Sequence, residues 1–365
     1  MEQWSKEKAW AWYNGRPWLR GCNYMSADCV NRVDQWQALH FEERMATTEQ
    51  ELAVMRDLGF NTVRLILEYV VWKEEHDGFL ERFERYLALC DKYGISCMIV
   101  LANDCMPPKT ELWKMPYIGE QTYDWGYHGG RKHSQHGGHS GPAPHFYLDD
   151  PESADDYFRM VEEIVTLYRD DPRICMWDLF NEPGNSMRRG ITMPHVKRMF
   201  ETVRRINPSQ PLTVAAWWFD LGDTVAVQEE ERYALENSDI ISYHFYGSYE
   251  DHVRVIKWLK RFGRPIVNTE WLARCTGNTV FDNFPLFYLE RIGCYNWGFV
   301  AGKYQTYEPW EAHWNWYRDD PHASIDFTKW FHDLYRPSLR PYDPKEAEMI
   351  RKFCTIADME DGNPV

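Results

Sequence analysis

No stretch of this sequence is apolar for long enough to cross a bilayer. The opening MEQWSKEKAWAW breaks each apolar pair with a charge, so it lacks the apolar core of a secretion signal. Positive charge is also short: 41 Lys and Arg stand against 56 Asp and Glu, a formal net charge of −15. That deficit argues against nucleic acid or an anionic membrane as partner. Cysteine pairing is missing too. The nine cysteines, an odd number, show no CxxC spacing and lie mostly in apolar segments, as Cys97, Cys175 and Cys294 do. They read as reduced core thiols rather than as a disulfide frame or a zinc site, which predicts a cytoplasmic protein with no metal and no cofactor.

What the chain has in plenty is aromatic side chains, 16% of its residues, 18 of them tryptophan. Many must line the core, but tryptophans also gather where turns are expected, as in EPWEAHWNWY. Aromatic faces in loops suit a ligand with flat apolar faces and a polar rim, and a sugar ring is such a ligand.

Along the chain one phrase returns: an amphipathic helix, a turn signal, a short apolar strand. ATTEQELAVMRDLG, with Thr47 or Thr48 as expected N-cap and Gly59 as C-cap, leads into FNTVRLIL. FLERFERYLALCDKYG leads into ISCMIVLAN, the helix 151–169 into ICMWDLFNEP, and PHVKRMFETVRRIN into PLTVAAWW. ERYALENS, HVRVIKWLKRFG and FPLFYLERIG precede DIISYHFY, RPIVNTEW and CYNWGFV. These strands are near-continuous apolar runs, as parallel strands covered on both faces should be. With a first strand at Trp18–Tyr24 and a last helix at Asp343–Phe353, the count predicts a (β/α)₈ TIM barrel, residues 1–365 forming a single catalytic domain. Two segments exceed what the barrel needs. Residues 103–149 follow strand three, residues 301–341 follow strand eight, and both are expected to be loops that wall the mouth into a pocket.

Two strands end in a glutamate: Glu182 in WDLFNEPG and Glu270 in VNTEW. A barrel brings both to one mouth, and a paired carboxylic acid and carboxylate are what glycoside cleavage requires. Arg64 and the Tyr246 phenol are expected to hold Glu270 ionised, which leaves Glu182 to carry the proton. Asn181 is expected to donate to the sugar 2-hydroxyl, and Trp297 to form the floor under the sugar. The expected substrate contacts are Arg64, Asn103, Asn181, Trp217, His244, Tyr246 and Trp297.

The set GCNY, NTVRL, WDLFNEP, SYHFY, VNTEW and NWGF resembles the clan of (β/α)₈ retaining glycoside hydrolases that contains family 5, the cellulase and mannanase family, over almost the whole chain. The resemblance implies Glu182 as acid/base and Glu270 as nucleophile, with Arg64, Asn181, His244, Tyr246 and Trp297 around them. The chain departs from the family at the end of strand three. Where many members carry a histidine it has LANDC, so Asn103 or Asp104 is expected to serve there. The loop YHGGRKHSQHGGHSGPAPH, with His128, His133, His136, His139 and His145, reads as sugar-contacting or solvated side chains rather than a metal site, since no pair has helical i,i+4 spacing. The expectation is a retaining exo-β-glycosidase acting on short β-1,4-linked oligosaccharides. A β-mannoside is favoured through the resemblance, with a β-glucoside, a β-xyloside or endo cleavage as alternatives. Two rivals stand beside it, a sugar-binding barrel without activity and a metal-dependent hydrolase on the same fold. Oligomeric state is left open, a homo-oligomer included.

Overall fold

The barrel is entered through a helix that the sequence pattern does not announce. The computed structural model describes residues 2–105, 115–121 and 146–362. Helix α1 (Lys6–Asn14) begins at Ser5, whose side chain accepts from the Lys8 N–H, and precedes the first strand. Its Ala9 and Tyr13 pack with Met98, Cys175, Met176, Ile240, Val267 and Tyr295, so they close the end of the barrel from which the strands start. The Tyr13 hydroxyl fixes it there, donating to the carbonyl of Arg291 at 2.8 Å and accepting the Gly293 N–H at 2.7 Å.

The strands follow as β1 (Arg20–Asn23), β2 (Thr62–Ile66), β3 (Ser96–Val100), β4 (Ile174–Asp178), β5 (Leu212–Thr213), β6 (Ala215–Ala216), β7 (Asp220–Leu221), β8 (Val225–Ala226), β9 (Ile241–His244), β10 (Ile266–Trp271) and β11 (Gly293–Trp297). β7 and β8 form a small antiparallel ribbon. The other strands pair in parallel in the order β5-β4-β3-β2-β1-β11-β10-β9-β6. β5 and β6 are two halves of one barrel strand. Thr213 pairs with Asp178 on one side, Ala215 with Ser242 on the other, and between them the Val214 N–H turns away to the Ser238 hydroxyl at 3.0 Å. Counted so, eight parallel strands close the expected (β/α)₈ barrel.

The remaining helices are α2 (Arg32–Trp36), α3 (Phe41–Leu58), α4 (Tyr69–Glu74), α5 (His76–Lys92), α6 (Pro151–Leu167), α7 (Met193–Ile206), α8 (Glu229–Asn237), α9 (Tyr249–Leu259), α10 (Val280–Leu289), α11 (Glu311–Asp319) and α12 (Pro344–Glu360). Their buried faces, such as Leu52, Met55 and Leu58 of α3 or Phe79, Phe83 and Leu87 of α5, meet the outward side chains of the strands in one apolar core. Among the described residues no helix is long and apolar enough to cross a membrane.

Three boundaries differ from expectation. α3 starts at Phe41, so Thr47 and Thr48 lie within it and cap nothing; the helix formers of FEERMA carry it two turns further back. Its far end is as expected: Gly59 takes φ +98°, and a Cβ there would stand 2.5 Å from that of Cys354. α12 is capped by Asp343, whose side chain accepts from the Lys345 N–H, and runs on to Glu360 rather than stopping at Phe353. The first strand covers Arg20–Asn23, shorter at both ends than the apolar run that contains it.

Candidate active site

The carboxyl ends of the strands gather Arg64, Asn103, Asn181, Glu182, His244, Tyr246 and Glu270 into one network. Arg64 stands in the middle of β2 rather than at its end, and its length carries the guanidinium to the mouth. It is 1% exposed. Nε and Nη2 donate to Asp178 Oδ2 at 3.0 and 2.7 Å, Nη2 also to Asn181 Oδ1 at 2.6 Å, and Nη1 to Asn23 Oδ1 at 2.7 Å and Glu270 Oε1 at 2.9 Å. One cation thus ties β1, β2, β4 and β10 together under Glu270.

Glu270, the fifth residue of β10, also accepts from the Tyr246 hydroxyl at 2.9 Å through Oε2. Burial raises its pKa to about 7, and the neighbouring Glu182 acts in the same direction against His244, Arg64 and Tyr246. The expected contacts are therefore present, yet removal from water outweighs them. Burial keeps the Tyr246 phenol protonated, with Glu270 and Glu182 adding to the effect, so it remains a donor.

Glu182 lies beyond the end of β4, where Leu179 and Asn181 still donate backbone bonds to Thr213 of β5 and to Ala102 just past β3. It sits in the left-handed region at φ +46°, a conformation uncommon for a non-glycine residue and one that clusters at functional sites. His244, the last residue of β9, links the two glutamates: its Nδ1 is 2.6 Å from Glu182 Oε1 and 3.4 Å from Glu270 Oε2. Burial lowers the His244 pKa to about 4, so at pH 7 the ring contributes a hydrogen bond rather than a charge. The facing atoms of Glu182, His244 and Glu270 all lie within 4.8 Å of one another.

At the end of β3 the two candidates part. Asn103 meets Asn181, accepting its amide at 2.7 Å through Oδ1. Asp104 turns away. It accepts the Gly184 N–H and Arg188 Nε at 2.7 Å each, together with the Thr192 hydroxyl, and so braces the segment that follows Glu182. The side chain that reaches Glu182 is Cys105, whose Sγ donates to Oε2 at 2.9 Å. Burial pushes its thiol up, and the nearby Glu182 and Glu270 push it further, so it stays a thiol. Asn185 donates to the same oxygen. Neither Cys105 nor Asn185 carries a sequence signal beyond lying near a strand end.

Asn181 holds both of its amide hydrogens toward protein, to Asn103 and, at 3.4 Å, to Cys105 Sγ. Trp217 is half-buried and braces the Glu182 loop, donating to the Pro183 carbonyl at 2.9 Å while Arg189 lies over its ring. Trp297 ends β11 beside Asn23 and lines a narrow recess with Arg64, Met25 and Tyr304.

The loop after β11 reaches the site through Trp310, which meets Tyr246 edge to face at 5.1 Å between ring centres. Trp314 stacks on Phe327 within the same excursion, and Trp316 is exposed. Of the loop after β3, residues 115–121 are tied to Asn31 and Gln37. His128, His133, His136, His139 and His145 lie outside the described residues. All nine cysteines are buried and free.

Among curated proteins, the β-glucuronidase of Chlorocebus aethiops is 25% identical over 270 residues, 71% of this chain and 32% of its own length. The β-glucuronidase of Paenibacillus borealis is 24% identical over 119 residues, 31% of this chain and 19% of its own. The chain thus spans a third or less of these relatives. An exo-β-1,4-mannosidase from Opitutaceae bacterium strain TAV5 superposes with a TM-score of 0.58 at 17% identity, over 95% of this chain and 60% of that one. A glycoside hydrolase family 5 mannosidase from Rhizomucor miehei does so with a TM-score of 0.54 at 13% identity, over 94% of both chains. Both superpositions show the barrel fold. Residues 25–319 match the family profile described as cellulase, glycosyl hydrolase family 5, and with most of the sequence inside that match this chain belongs to glycosyl hydrolase family 5.

Proposed function

We propose that this chain is a retaining β-glycosidase that cleaves short β-1,4-linked oligosaccharides from one end, β-mannosides first among them, with Glu182 as acid/base and Glu270 as nucleophile. The observation that carries this reading is the buried pair itself. Two glutamates share one histidine at the barrel mouth with facing atoms within 4.8 Å. Atoms this close are in keeping with the carboxyl separation of about 5 Å typical of retaining enzymes, and fall below the roughly 6.5–9.5 Å of inverting ones. In the first step a Glu270 oxygen bonds to the anomeric carbon and the bond to the departing oxygen breaks, while Glu182 hands that oxygen its proton. In the second, water gives a proton back to Glu182 and attacks the same carbon, which releases Glu270 as carboxylate and the sugar with its configuration retained. Arg64 and Tyr246 hold Glu270 in line for attack, and Asn181 exchanges its sulfur contact for the sugar 2-hydroxyl.

The mannoside preference draws on the names of the structural neighbours, a β-1,4-mannosidase and a family 5 mannosidase. The curated relatives are β-glucuronidases, so an aryl β-glucuronide belongs beside the mannoside, glucoside and xyloside in a panel differing only in the sugar. Two carboxylates and an imidazole this close are also a set that a divalent cation would take. Arg64, 2.9 Å from Glu270, already supplies the positive charge there. A 2-fluoro glycosyl inactivator matched to the best substrate is expected to label Glu270 alone. Label on Glu182 would reverse the roles, inverted product would refute retention, and loss of activity with a chelator would favour the metal reading.

A further inference from the structure

The two carboxyl oxygens of Glu182 keep different company. Oε1 faces His244 at 2.6 Å, and through that ring it lies on the side of Glu270. Oε2 faces away, toward Cys105 Sγ at 2.9 Å and the amide of Asn185. Cys105 is itself held in place. Its N–H donates to Asn103 Oδ1 at 3.0 Å and its carbonyl accepts from Asn103 Nδ2 at 3.1 Å. Its sulfur accepts from the amides of Asn181 and Asn185 at 3.4 Å each. The Asn185 amide stays on its acceptor side when Asn181 turns to a sugar, so the S–H hydrogen is left for Oε2.

Oε2 accepts two hydrogen bonds where Oε1 meets the His244 ring alone, and the more heavily engaged carboxyl oxygen is the poorer place for a proton. A hydroxyl oxygen accepts more weakly than a carboxylate oxygen, and its own hydrogen would compete for the same space. We propose that Cys105 is a positioning residue for the acid/base: its thiol, beside Asn185, occupies Oε2 of Glu182 and keeps the transferable proton on Oε1, the oxygen on the side of Glu270. This rests on Glu182 being the acid/base. The proton then leaves Oε1 for the departing oxygen in the first step and returns to Oε1 from water in the second. Cys105 keeps its own hydrogen throughout and forms no bond to the substrate.

The test compares leaving groups that do and do not need a proton. On the best-cleaved sugar, Cys105→Ala and the bulkier Cys105→Val are expected to lower kcat/KM roughly tenfold for an alkyl or saccharide aglycone. A dinitrophenyl aglycone, which departs without acid help, is expected to be cleaved at nearly the original kcat/KM. Cys105→Ser, which keeps a donor, is expected to recover most of the loss. Equal losses on both aglycones would assign Cys105 to packing alone and overturn the proposal. So would no loss on either, or a serine variant no better than valine. Valine keeps the bulk if alanine does not fold. Glu182→Ala run in parallel separates the two claims. If it shows no selective loss on poor leaving groups, the acid/base assignment is wrong and the role of Cys105 falls with it. If it does, and the Cys105 variants do not, only the present proposal fails.

Discussion

Tyr246 separates catalysis from packing with one atom. Its hydroxyl donates to Glu270 Oε2 at 2.9 Å, while its ring is held by Trp310 and His332 at 5.1 and 5.6 Å between centres. Tyr246→Phe keeps those ring contacts and removes one hydrogen bond to a charged group, worth roughly 1.5–3 kcal/mol, about one to two decades in rate. The sign of the pH effect follows from the site. The hydroxyl lowers the pKa of Glu270, which burial holds at about 7, so its loss moves the acidic limb of kcat/KM to higher pH. A pH–rate series on the variant checks this. An unmoved limb with near-normal rate would remove Tyr246 from the site, and a lower Tm with an unmoved limb would mark it as core.

At the scale of elements, the segment after β4 is held by a buried network rather than by the sheet. Asp104 accepts from Gly184, Arg188 and Thr192, and Arg188 continues to Asp149 with two bonds of 2.6 and 2.7 Å. Both Asp104 and Arg188 are fully buried, so removing the negative charge leaves a cation partly uncompensated, a loss on the order of 3 kcal/mol. Asp104→Asn is therefore expected to lower Tm by several degrees and kcat on a saccharide aglycone more than on a dinitrophenyl one, because Glu182 loses its brace. Thermal unfolding and the two rates check it, and an unchanged Tm would show that the network adds nothing. The same contrast explains what the sequence could reveal. Glu270, Arg64 and His244 are legible because they stand in short apolar strands bounded by helix and turn signals, where position along the chain fixes position at the mouth. Cys105, Asn185 and the turn of Asp104 away from the site are not, because they depend on how two connecting segments fold against each other. Helix α1 is hidden for another reason. It buries only Ala9 and Tyr13 and leaves Trp10 exposed, so its apolar period is faint. Thr47 and Thr48 mislead because a threonine inside a helix and one that caps it look alike in sequence.

Across the whole molecule, buried acids and buried histidines oppose each other in pH. Burial raises Glu51 to about 8 and Asp333 to about 7, as it does Glu270. Each binds its proton more tightly folded than unfolded, so the native state holds more protons between the ordinary carboxyl pKa and the raised one. Stability therefore falls as pH climbs through that window. Burial lowers His244, His252 and His313 to about 4, so the native state binds fewer protons there than the unfolded chain. Stability from those groups is lost as pH falls from about 6.5 toward 4. The two slopes nearly cancel between about pH 4.5 and 6.5, and above that range the acids alone remain, so this part of the stability falls from there toward pH 8. Glu51 isolates the alkaline side, since it lies on α3 away from the two glutamates and accepts from the Tyr24 hydroxyl at 2.6 Å and the Ala27 N–H at 3.2 Å. Glu51→Gln preserves that bonding: its carbonyl takes the Ala27 N–H and its amide faces the phenol oxygen, which also accepts. A tenfold difference in proton affinity between folded and unfolded chain is worth about 1.4 kcal/mol, so the variant should gain on the wild type by a few kcal/mol between pH 5 and 8. Below pH 4.5 the two should run nearly together. Denaturant unfolding of both proteins across that range decides it, and a difference that stays flat with pH would show that Glu51 titrates in the folded protein as it does in the unfolded chain.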